Sequence, residues 1–208
     1  MIDVRALLPR ADWSIGTAPK ASVTVHWNGP AVDYEANPLN AAKADAQFHI
    51  DKDWSADGSG AYGDGIMYHR LYAPDGTVLM TRDPDAILWH CGNAEGNQHS
   101  AAWQVMTGEG QHPTPQQLAA LARDLAGRVH YGHRDWSATA CPGDELYAFI
   151  QGNKEEDMDQ DQFNQWFDAR LTESPEYVNT ILAVKGALIV LAGGETELRQ
   201  LIHDTEYQ

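Results

Sequence analysis

Apolar and polar positions follow two different periods along this chain, and the period changes often. Val23-Thr24-Val25-His26-Trp27 is short, β-branched and aromatic, and reads as a buried strand. Ile66-Met67-Tyr68-His69-Arg70-Leu71-Tyr72 reads as a second. Pro74-Asp75-Gly76 supplies a turn and Thr77-Val78-Leu79-Met80 returns, so these runs predict a hairpin. Ile87-Leu88-Trp89-His90 and Ala102-Trp103-Gln104-Val105-Met106 are two further strand candidates. Helical patterns lie between them. Residues 40–52 are Ala-rich. Residues 114–129 open with Thr114-Pro115, a cap and a first position, and Leu118, Leu121, Ala122, Leu125 and Val129 recur at helical spacing. Strands interleaved with helices, one pair of them a hairpin, predict an α/β fold with a central mixed β-sheet flanked by helices.

The pattern changes near Gln151-Gly152-Asn153-Lys154-Glu155-Glu156-Asp157, a polar stretch that reads as a linker. Phe163, Trp166, Phe167 and Leu171 then share a helical face, a second helix spans about residues 176–192, and Leu198, Leu201 and Ile202 suggest a third. The expected organisation is therefore a domain over 1–152 and a small all-helical C-terminal tail over 153–208. Three roles are open for the tail: packing back on the first domain, wall targeting, or self-association through Trp166, Phe167 and the 181–191 face.

Charge narrows the partners. The net charge is −16, with −8 in residues 1–152 and −8 in 153–208, so the tail carries half of it in about a quarter of the length. Fourteen Lys and Arg spread along the chain form no basic cluster, which argues against nucleic acid as a partner. The acidity equally disfavours simple attraction to anionic lipids or wall polymers. Two cysteines, Cys91 and Cys141, are too few for a disulfide framework. The N-terminal residues lack a basic start and an apolar core, so no secretory signal is expected, and no apolar run is long enough to predict membrane insertion.

The segment richest in chemistry is His133-Arg134-Asp135-Trp136-Ser137-Ala138-Thr139-Ala140-Cys141-Pro142-Gly143. A His and a Cys sit in one loop bounded by Pro and Gly, and imidazole and thiolate are zinc's preferred ligands. A third ligand is needed from elsewhere, and His26 on its strand is well placed to supply it. Two His and one Cys leave one position of a tetrahedral ion open, the arrangement of a catalytic rather than a structural site. On residue types alone, a packed strand histidine and a buried apolar cysteine remain the competing reading.

Four ordered motifs then carry a resemblance. They are the strand ending in His26; Tyr68-His69 followed by Pro74-Asp75-Gly76; His90-Cys91-Gly92 with Asn97 and Ser100 beyond; and His133 through Cys141-Pro142-Gly143. Over roughly residues 5–150 the chain resembles the zinc-dependent N-acetylmuramoyl-L-alanine amidases, the family of T7-type lysozyme and the peptidoglycan recognition proteins. The resemblance implies Zn2+ held by His26, His133 and Cys141, and a catalytic Tyr68. It implies substrate-groove positions for His90 and Asn97. Cys91 matches no functional position and reads as packing. Thr139 matches a catalytic position that is Lys in T7-type lysozyme and often Thr in recognition-protein amidases; its hydroxyl donates a hydrogen bond but brings no positive charge. Where recycling amidases of the family carry a Glu, this chain has Thr107, so no carboxylate base is assigned. The implied reaction is hydrolysis of the muramic acid to L-alanine amide of peptidoglycan by a zinc-activated water. The implied setting is a phage endolysin, held in the host cytoplasm until release to the wall. A non-catalytic peptidoglycan-binding protein and a cytosolic muropeptide-recycling amidase are the alternatives.

Overall fold

The computed structural model describes residues 1–55, 58 and 60–152. The helices expected beyond 153, and the roles considered for them, lie outside the described residues.

Among the described residues six strands form one sheet: β1 (Ile2–Asp3), β2 (Ser22–Gly29), β3 (Arg70–Tyr72), β4 (Val78–Met80), β5 (Ser100–Gly108) and β6 (His130–Gly132). Their spatial order is β1-β4-β3-β5-β2-β6. Only β3 and β4 pair antiparallel, as the hairpin; every other pair is parallel, so the sheet is mixed as expected. Four α-helices accompany it among the described residues: α1 (Pro38–Asp51), α2 (Ala94–His99), α3 (Pro115–Leu125) and α4 (Asp144–Gly152).

Side-chain alternation gives the two sheet faces different tasks. Register pairs Thr24 with Ala102 and His26 with Gln104, so these side chains share one face. Leu71 and Leu79 lie on that face too, and a buried cluster of Leu71, Leu79 and Met106 with Ala42 and Ala46 packs α1 against it. The small Ala side chains of α1 let the helix approach closely. The opposite face carries Val25, Trp103, Val105 and Tyr72. There α3 is tied down by Asp124, which accepts from Arg70 at 2.9 Å and from Tyr72 at 3.1 Å. The Gln117 amide, fully buried, donates to the carbonyls of Tyr72 and Met106.

Helix starts follow the local chemistry. The Asn37 side chain caps α1 by accepting from Leu39 N–H, with Pro38 at the first position. Thr114 and Gln117 form a reciprocal capping box on α3.

Several expected bounds change. Residues 87–90 are not a strand. Leu88 is buried, but Ile87 N–H bonds the Gly16 carbonyl and His90 N–H bonds the Asn97 side chain, so the run is buried by loops rather than by a ladder. Residues 66–69 likewise precede β3; Met67 N–H is taken by His49 Nδ1. The helix expected over 114–129 stops at Leu125, because Gly127 takes φ +67° and turns the chain. Val129 therefore leaves the apolar stripe and is exposed. Strands β1 and β6 and helices α2 and α4 were not anticipated; two or three residues are too few to show alternation. No helix among the described residues is long and apolar enough to cross a membrane.

Candidate metal centre

Adjacent parallel strands bring the first two candidate ligands together. His26 lies near the C-terminal end of β2, and His133 follows directly on β6, whose Gly132 pairs with Val25. Parallel sheets commonly open their binding sites at these strand ends. The two rings lie 4.7 Å apart, centre to centre. A turn of 3-10 helix at His133–Asp135 then sends the chain round so that Cys141 returns to the same point. Arg134 holds the loop closed, its backbone N–H donating to the Cys141 carbonyl and its guanidinium to the Ala140 carbonyl at 2.6 Å. Gly143 is required at the exit: φ is +86°, and a Cβ there would lie 2.8 Å from the Trp27 ring.

Donor atoms of His26, His133 and Cys141 all fall within 4.8 Å of one another. Cys141 Sγ is 3.7 Å from His26 Nδ1. With metal bonds of about 2.0 Å to nitrogen and about 2.3 Å to sulfur, two ligands of a tetrahedral zinc stand roughly 3.5 Å apart, so this edge fits. The donor set, two imidazoles and one thiol, also suits zinc, and three donors leave one position for water or substrate.

The hydrogen bonds behind the ligands fix which nitrogen faces the centre. His90 Nε2 is 3.2 Å from both the Gly96 and Ser100 carbonyls, which only accept, so Nε2 carries the hydrogen. His90 Nδ1 is then bare, and it takes the His26 Nε2 hydrogen at 2.9 Å. His26 Nδ1 is left as a lone pair directed at Cys141. Burial keeps both rings neutral, His90 down to about 3 and His26 well below its ordinary value, with neighbouring histidines adding to the effect on His26. His133 is bonded to the backbone of Cys91, and burial lowers it as well. Both histidine ligands are thus oriented by consecutive residues, 90 and 91.

The thiol is prepared differently. Burial pushes Cys141 up to about 12 while the Trp27 backbone N–H, 3.4 Å from Sγ, pulls the other way. A cation at the centre favours the thiolate outright.

Tyr68 packs its ring 5.3 Å from His26 and 5.6 Å from His49. Burial, with Cys141 and Asp45 near, raises its phenol well above the ordinary value, so the hydroxyl stays a donor. The Thr139 oxygen accepts from Cys141 N–H at 3.2 Å, which leaves its hydrogen free to donate. His90 and Asn97, expected along the substrate groove, make hydrogen bonds behind the centre. His90 is buried behind His26, and Asn97 Oδ1 accepts from the His90 and Cys91 backbone N–H groups. Cys91 is fully buried with its thiol on Asn97, the packing role expected of it. His69 and His130 are held by backbone groups, and His112 is exposed beside Glu145.

Sequence reasoning passed over Asn28, Asp45, His49 and Gln104, which line a cavity with Tyr68. Spacing offered one hint: Asp45 and His49 fall on one face of α1.

Fold and site together define an α/β protein in which three donors close enough to hold a metal ion meet at the C-terminal ends of parallel strands. The chain belongs to the N-acetylmuramoyl-L-alanine amidase family, whose profile matches residues 17–144. No curated protein sequence matches it. Among solved structures, Drosophila peptidoglycan recognition protein SD is 22% identical with a TM-score of 0.60, over 76% of this chain and 99% of that one. Peptidoglycan recognition protein LE, in complex with tracheal cytotoxin, a monomeric diaminopimelic acid-type peptidoglycan, is 19% identical with a TM-score of 0.59, over 73% of this chain and 92% of that one. The endolysine amidase LysCS of Clostridium intestinale is 20% identical with a TM-score of 0.52, over 74% of this chain and 95% of that one. These likenesses establish the shared fold.

Proposed function

We propose that this protein is a zinc-dependent N-acetylmuramoyl-L-alanine amidase that cuts the amide joining the lactyl group of muramic acid to L-alanine in peptidoglycan. The observation that carries the reading is the convergence of His26, His133 and Cys141, with Tyr68 against His26. Zinc bound there would supply Lewis-acid polarisation of the amide carbonyl and of an attacking water. The chain's own groups do the rest. The His90 contact holds His26 in one tautomer. Tyr68, kept protonated by burial, donates to the oxygen on which negative charge develops. Thr139 offers a second donor beside Cys141. Family membership supports this reading, as does the name amidase on the Clostridium neighbours.

We extend the proposal to an endolysin that lyses the bacterial wall from within, with residues 1–152 as the catalytic domain and 153–208 as a separate acidic region. The name endolysine on one neighbour is consistent with this.

The test is release of new L-alanine amino termini from purified peptidoglycan, with zinc, with chelator, and with Cys141→Ser. Chelator-sensitive release that the substitution abolishes is expected. Binding of peptidoglycan without any release would replace hydrolysis by recognition.

A further inference from the structure

A cavity of about 570 Å³ lies beside Tyr68. One wall is the sheet face, through Asn28 of β2 and Gln104 of β5; another is α1, through Asp45, with Lys52 just beyond its end; Trp54 closes a third side. Buried side-chain oxygens that lack any hydrogen-bond partner gather here: Asn28 Oδ1, Asp45 Oδ2 and Gln104 Oε1. They are three of the six buried unpartnered side-chain atoms among the described residues, so the shortfall is concentrated at one place. Gln104 is only 2% exposed, so bulk water does not compensate it.

A buried acceptor without a donor is destabilising, and native proteins seldom leave one so. Three around one cavity describe the complement of a polar ligand, and the carboxylate among them, when ionised, can only accept. Asp45 adds a sign. No ion pair engages it among the described residues, and the nearby Lys52 ammonium is instead stacked over Trp54 at 4.2 Å and Phe48 at 5.2 Å. Burial pushes the Asp45 carboxyl up to about 6, the direction of a carboxylate withdrawn from water without a counter-charge. Asp45 lies on α1, four residues before His49, whose ring touches Tyr68. The cavity therefore opens against the proposed reaction centre.

We infer that Asp45 selects peptide substrates bearing a free, positively charged amino group, which it meets in this cavity. The inference rests on the proposed peptidoglycan substrate but concerns a different residue set from the metal ligands. Asn28 and Gln104 would accept backbone amide hydrogens, and Asp45 would accept from the ammonium. Asp45 is on this account a specificity determinant, with no part in the bond cleavage.

The experiment compares two soluble muropeptides that differ in one group: one keeps the free side-chain amine of its stem peptide and the other has it acetylated. The kcat/KM is measured with zinc-loaded wild type and with Asp45→Asn, and binding is measured by calorimetry on the chelator-treated proteins, where nothing is cut. Acetylation is expected to weaken wild-type binding and kcat/KM roughly tenfold to a hundredfold, the range for a hydrogen bond to a charged group. It should change neither by more than about threefold in Asp45→Asn. Equal handling of both muropeptides by wild type, or tighter binding of the acetylated one, overturns the assignment while leaving amidase activity standing. Absence of cleavage with the binding difference intact sustains it and overturns the amidase reading instead.

Discussion

Asn97 shows how one side chain can govern a centre it never touches. Its carbonyl oxygen gathers the backbone N–H groups of His90 and Cys91, and those two residues in turn orient His26 and His133. Replacing His90 by Phe removes the acceptor from His26 Nε2 and frees the ring to turn. Zinc affinity is expected to fall by about 10- to 100-fold, as for other outer partners of metal-bound histidine, with the fold retained. Competition against a chelator of known affinity measures it. A second residue-scale expectation concerns acid. His69 Nδ1 accepts from Ala102 N–H and Nε2 donates to the Ala86 carbonyl, so a second proton would set N–H against N–H. Burial, the largest cause, lowers it from 6.5 to about 3, with the Lys20 charge adding to the effect. Burial also lowers His49, to about 4. Between these values and 6.5 the unfolded chain binds more protons than the folded one, so stability rises with pH there and is lost as pH falls below 6.5. Thermal denaturation across pH 4 to 7 should show the melting temperature dropping with acid. A flat profile would contradict the buried-neutral assignment.

At the scale of elements, the cap of α3 is the sharpest test. Thr114→Ala removes one half of a capping box and also the hydroxyl that donates to the Pro74 carbonyl at 2.6 Å. A loss of about 1–2 kcal/mol in denaturant titration is expected, with no change in zinc affinity. This helix was legible in the sequence because Thr114-Pro115 and the apolar spacing agree, and so was β2, whose β-branched run is buried on both sides. The meeting of His26, His133 and Cys141 was legible because imidazole and thiol are rare in combination and one pair shares a loop. The cavity beside Tyr68 was not, because Asn28 and Gln104 are plain amides on strands. Their meaning comes from register, which places residues far apart in sequence on one face. The hydrogen bonds of His90 and Asn97 behind the centre were not legible for a related reason. A motif records that residues recur together and is silent on whether they point toward a ligand or behind one.

For the whole molecule, the family profile ends at residue 144 and the described residues at 152, while half of the net charge lies beyond. Removing residues 155–208 should leave the metal centre intact, since every ligand and every partner named for it lies before that cut. Zinc stoichiometry, wall binding and molecular mass, compared with the full chain, assign the tail. Lost wall binding would mark a targeting region and a lower oligomer an assembly region, whereas unchanged values leave packing on the first domain.

Because β6 is the last strand of the sheet order, one side of it has no neighbouring strand among the described residues. His133 follows directly on it, while its partner β2 carries His26. An ion shared by these two side chains would fasten the border strand to the interior like a rivet. Stripping the ion should then speed amide deuterium uptake at Tyr131 and Gly132 far more than at Val25 or Val105 deeper in the sheet. Such a gradient would make local fraying of the border, rather than global unfolding, the route by which the centre is emptied.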